Sequence, residues 1–150
     1  MTGTSGSLSH TTSFTLTVSN STSTTPAKWA GTGRINIPGG IGYFGFWITR
    51  AADGTLNGEF EYYSDASGMD YDGQTMLTVT VTGNQAVITG PLQERLGNGP
   101  WSGPYNFTAT LQDNGAGTTD TFQIQISDPG ATSAGSTTTK LIYGNIRKYY

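Results

Sequence analysis

Apolar and polar residues alternate along most of residues 31–147, and no helical period is sustained anywhere in the chain. This period-two rhythm is the feature that most narrows the fold. Successive side chains of a strand point to opposite faces, so alternation means strands with one dry face. Residues 31–37 alternate and end at the turn "PGG". Residues 41–49, "IGYFGFWIT", are apolar on both faces, which predicts a central strand covered on both sides. "AADG" turns the chain into residues 55–63, where Leu56, Phe60 and Tyr62 share one face and Glu59 and Glu61 the other. Residues 75–82 and 85–92 flank the hairpin signal Gly83-Asn84. Residues 103–112, 121–127 and 139–147 supply the remaining strands, with "DNGAGTTD" as a loop before the second of them.

Turn signals at roughly 8–12-residue spacing predict an all-β sandwich or barrel. The specific expectation is an antiparallel β-sandwich of the jelly-roll or Ig-like class. Its core is expected to hold Tyr43, Phe44, Phe46, Trp47, Phe60, Leu77, Val79, Ile88, Phe107, Leu111, Phe122 and Ile124. A chain of 150 residues is long enough for one domain with a real core.

A separate strand pattern lies near the start. In "SHTTSFTLTVSNS", residues 9–21, Phe14, Leu16 and Val18 alternate with Thr15, Thr17 and Ser19. A lone strand cannot bury its own apolar face. The linker "STSTTPAK" carries Pro26, which stops a strand from running through it. The chain therefore divides into an N-terminal strand arm and linker, residues 1–27, and a sandwich domain, residues 28–150. Two accounts of the arm stand open. It is the remnant of a neighbouring domain, or it completes the sheet of another subunit by strand addition.

Composition limits the function classes. Charged residues are 11% of the chain and the net charge is −3, too mild to recruit nucleic acid or an anionic membrane. No cysteine is present, which removes disulfides and thiolate zinc sites. No stretch reaches transmembrane length, and no signal peptide is visible after Met1. Asn20-Ser21-Thr22 and Asn106-Phe107-Thr108 fit the glycosylation triplet.

Few residues carry chemistry. His10, the single histidine, lies in the arm, which argues against a Ser-His-Asp triad or a multi-histidine metal site. Glu59 and Glu61 sit roughly 7 Å apart along one strand face. That separation suits a glycosidase pair only within a cleft. "DASGMDYDGQ" places Asp65, Asp70 and Asp72 in a Gly-bearing stretch, a candidate calcium loop or an ordinary Asx-rich turn. Asp113, Asn114 and Asp120 form a weaker cluster, with turn capping the expected job of Asp120. Trp101 lies in the Gly/Pro loop "GNGPWSGPYNF". With Tyr62 and Tyr63 it is a candidate aromatic platform for sugar rings, to which Trp29 and Trp47 also contribute candidates; the alternative for Trp101 is cover over the end of the sandwich. Lys140 and Asn145 are candidates for an intramolecular isopeptide link.

The stretches "GTGRINIPGG", "YFGFWITRAADGTLNGEFEY", "TVTVTGNQAVITG" and "YNFTATLQDNGAGTTDTFQIQI" resemble post-COAP-type domains, which are bacterial extracellular β-sandwich modules. Phe44-Gly45-Phe46 and the run from Asp113-Asn114-Gly115 to Asp120-Thr121-Phe122 are the most specific elements. "LIYGNIRKYY" resembles the closing strand of such domains. Residues 2–21 resemble the last strand of bacterial Ig-like repeats. These resemblances imply a non-catalytic extracellular or cell-surface module. The leading expectation is a structural role with self-association through the arm into a filament or surface assembly. The alternative is polysaccharide or surface binding. No cofactor is expected beyond the calcium candidate.

Overall fold

The computed structural model describes residues 27–73, 78–115, 117–127 and 137–149. The arm calls on His10, Phe14, Leu16 and Val18, and the core call on Leu77, lie outside the described residues.

Among the described residues nine strands follow in chain order. They are β1 (Ala27–Ile37), β2 (Gly40–Arg50), β3 (Leu56–Ser64), β4 (Met69–Gly73) and β5 (Thr78–Thr82). β6 (Gln85–Leu96), β7 (Ser102–Gln112), β8 (Thr121–Ile126) and β9 (Thr139–Tyr149) complete the set. A single 3₁₀ turn, Gly117–Thr119, precedes β8.

Every pairing is antiparallel, and the order is β4-β3-β2-β1-β9-β8-β7-β6-β5. Because β4 also pairs with β6, the sheet closes into an eight-stranded antiparallel barrel, with β5 attached to β6 alone among the described residues. The chain is thus all-β as its periodicity requires. Two separate packed sheets were expected; instead one hydrogen-bonded ladder runs round the molecule. The reason is β4, five residues that read as an Asx-rich loop but alternate Asp70 and Asp72 outward with Tyr71 inward.

The interior is built from stacked aromatic rings. Phe44 and Phe122 lie 4.0 Å apart and nearly parallel, and Phe60 stacks on Phe107 at 4.6 Å. β1 makes room for two of β2's rings by offering no side chain. Gly31 is paired with Phe46 and Gly33 with Phe44. A Cβ on either glycine would meet the opposing ring at 2.8 Å. Each fully buried Phe side chain contributes about 1.5–3 kcal/mol.

The ladder is thinnest between β8 and β9, which pair over only Thr121–Lys140 and Phe122–Thr139. A clasp of carboxylates takes over from there. Asp120 is fully buried, and its Oδ1 and Oδ2 accept the backbone N–H groups of Asn114 at 2.8 Å and Ile146 at 2.7 Å. Asp113 accepts those of Gly115 and Lys148, both at 3.0 Å. The carboxylates stand in for strand carbonyls, so the loop before β8 holds the last strand in place. The capping role expected for Asp120 is present and extends to a second strand.

Two core expectations need correction. Trp47 is 44% exposed and Tyr43 is half-buried. β2 presents Phe44, Phe46 and Ile48 inward, and alternation then forces Tyr43, Gly45 and Trp47 outward. Its second apolar face lies uncovered among the described residues. Phe44, Phe46, Phe60, Ile88, Phe107, Leu111, Phe122 and Ile124 are buried as expected, and Val79 packs half-buried against them.

Candidate functional site

The outward face of β9, β1, β2, β3, β4 and β6 carries one row of directly opposed residues. Tyr143 pairs with Arg34, Arg34 with Tyr43, Tyr43 with Tyr63, Tyr63 with Asp70, and Asp70 with Arg95. At the usual spacing between neighbouring strands the row spans ~24 Å of surface. Its members also touch. The Arg34 guanidinium lies 5.2 Å from the ring centres of both Tyr43 and Tyr143. Tyr43 and Tyr63 are 5.8 Å apart. Arg95 bonds Asp70 at 3.1 Å and lies over Trp101 at 4.4 Å.

One register step along lies a lower row: Asn145, Thr32, Gly45, Glu61, Asp72 and Gln93. Among the described residues nothing stands within 4 Å of where a Gly45 Cβ would be. The third row runs Arg147, Ala30, Trp47, Glu59. There the Trp47 Nε1–H donates to Glu59 Oε2 at 3.2 Å. The first row on one side and Trp47 with Glu59 on the other stand above Gly45 and make a trough there. Its open depressions measure about 440, 390 and 200 Å³; the first meets the second at Thr32 and the third at Gly45 and Glu61.

The local sequence explains the row. Gly39 adopts φ +84° in the turn after β1, a conformation glycine enters without steric cost. That tight turn sets Ile37 opposite Gly40 and so Arg34 opposite Tyr43. On the far side, the β1–β9 register shifts between Arg34 and Ile35. Gly144 follows at φ +104°, where a Cβ would meet the Thr32 carbonyl oxygen. The bulge leaves Ile142 and Tyr143 both exposed, bringing Tyr143 into line with Arg34.

The candidate platform is met in part. Tyr63 is exposed and stands in the row; Trp101, 40% exposed, closes one end of it. Tyr62 is not a platform residue. Neighbouring residues of a strand face opposite ways, and Tyr62 is 2% exposed with its ring 6.2 Å from Phe122. Burial, with smaller contributions from Tyr71 and Asp65, pushes its phenol well above the usual range. Trp29 is likewise buried in the core.

The candidate calcium ligands are not brought together. Asp65 accepts the Ile41 N–H from its turn, Asp70 pairs with Arg95, and Asp72 faces out beside Glu61. Among the described residues no group of three potential metal-ligating side chains forms. Lys140 is exposed five positions before Asn145 on one strand, so the two do not meet as an isopeptide pair would. Sequence reading missed Arg34, Tyr43, Gly45 and Tyr143 as site residues. Counting back from the "PGG" turn would have paired Arg34 with Tyr43. No protein family, curated protein or solved structure matches the chain.

Proposed function

We propose that the chain is a non-catalytic, extracellular glycan-binding module whose ligand lies across the strands in the trough. The carrying observation is the in-register row of Tyr143, Arg34, Tyr43 and Tyr63 with Trp47 on the opposite wall. Exposed aromatic planes match the apolar faces of sugar rings and present their area at low entropic cost. Thr32, Glu61, Asp72 and Gln93 supply hydroxyl, carboxylate and amide groups to a polyol from the floor between them. The resemblance to extracellular accessory modules agrees with this role.

The test is affinity electrophoresis and calorimetry against a panel of soluble polysaccharides. At least one should bind, and Tyr43→Ala and Trp47→Ala should each weaken it by about tenfold, the loss of one aromatic contact. Absence of binding across the panel, or binding untouched by both changes, removes the proposal.

A second reading has its own observation. β5 pairs with β6 only among the described residues, so one edge of Thr78–Thr82 is open to strand addition there. The arm strand around Phe14, Leu16 and Val18 has the composition to occupy such an edge in a neighbouring subunit. Light scattering on the full chain and on a variant lacking residues 1–22 tests it; identical monomer sizes refute it.

A further inference from the structure

We infer that the trough selects a heteropolysaccharide in which acidic sugars are interspersed with neutral ones, with Arg34 reading the carboxylate. This rests on the glycan-binding reading above and narrows it.

The two halves of the trough carry opposite charge. β1, β2 and β9 contain no Asp or Glu at all. Arg34 and Arg147 project outward from β1 and β9 and are exposed. β3 and β4 carry Glu59, Glu61, Asp70 and Asp72 on the same outer face. Arg95 pairs with Asp70.

Arg34 is the prepared group. Two tyrosine rings hold its guanidinium, and no carboxylate of the described residues neutralises it. A guanidinium fixed between aromatic planes loses little entropy on binding and pairs bidentately with a carboxylate. A neutral glycan leaves this charge unanswered. A uniformly anionic chain places its next charge beside the exposed Glu61 and is repelled. Only an acidic residue flanked by neutral ones satisfies both halves: its carboxylate at Arg34, its neutral neighbours over Gly45 and Glu61.

The experiment compares glucuronoxylan, neutral xylan and polygalacturonate, with hyaluronan as a second mixed polymer and a dextran–dextran sulfate pair as the sulfate arm. Calorimetry is run at low and high salt. A mixed carboxylated polymer should bind about tenfold tighter than the neutral one, a preference lost at high salt. Arg34→Gln should abolish the preference while leaving residual neutral binding, and Arg34→Lys should restore part of it. Glu61→Gln should improve binding of polygalacturonate. Equal affinity for neutral and mixed polymers, or a preference unchanged by Arg34→Gln, overturns the inference and leaves the glycan reading standing. Preference for dextran sulfate over every carboxylated polymer also overturns it. If no polysaccharide binds at all, both fall.

Discussion

The two faces of β2 use the same pair of residue types to opposite ends. Inside, Phe44 and Phe46 fill the spaces left by Gly33 and Gly31 of β1. Outside, Tyr43 and Trp47 flank Gly45, and nothing among the described residues lies within 4 Å of where its Cβ would stand. Folding accounts for the inner glycines, because without them the rings would not fit. It does not account for the outer one. A vacancy among exposed aromatics that the fold leaves open is a place for something else, and that contrast supports the glycan reading.

The strongest test of the contrast removes the centre of the inner face. Phe122 stacks on Phe44 and also neighbours Phe60 and Tyr62. Phe122→Ala should cost about 3–5 kcal/mol in denaturant unfolding. A loss under about 1 kcal/mol would show that the stack is not what holds the interior together.

Next is the clasp. Asp120→Ala strands the buried N–H of Ile146 and removes the acceptor of the part-buried N–H of Asn114. It should cost about 3 kcal/mol, with Ile146 losing hydrogen-exchange protection before the β6–β7 ladder does. Unaltered protection at Ile146 would contradict the clasp.

Gly33→Ala should cost about 1–3 kcal/mol, since its Cβ meets the Phe44 ring at 2.8 Å. Gly45→Ala should change stability by less than about 0.5 kcal/mol, or raise it, because the site is open and glycine weakens strands. The sharper form is Gly45→Tyr, which should leave the melting temperature nearly unchanged and abolish polysaccharide binding. Equal destabilisation by Gly33→Ala and Gly45→Ala would erase the difference between the faces.

Most strands were legible because alternation survives in short windows. β7 and β8 fall within a residue of their expected limits. β6, expected over residues 85–92, runs to Leu96 because β4 pairs with that extension. β4 itself was illegible. Its outward residues are acids, and its inward Met69, Tyr71 and Gly73 give an alternation too short to read, so five residues resembled an ion-binding loop. That one omission separates a sandwich from a closed barrel. The site was half legible. Tyr63 and Trp101 were named from residue type, whereas Arg34 and Tyr143 acquire meaning only from register. The β9 bulge that aligns them leaves no local trace beyond Gly144.

The pairing of β1 with β9 also bears on how the molecule comes into being. Lys28 of the first strand lies against Tyr149 of the last. The ladder closes between β1 and β9 only once strands more than a hundred residues apart in sequence have met. Pairings between residues so distant in sequence are slow to form, because loop-closure entropy must be met before any contact rewards it. The early hairpins β1–β2 and β2–β3 are local and free to form first, with β1 waiting as an exposed edge. Barrel closure is then expected as the late step of folding, with the carboxylates of Asp113 and Asp120 securing β9 once it has docked.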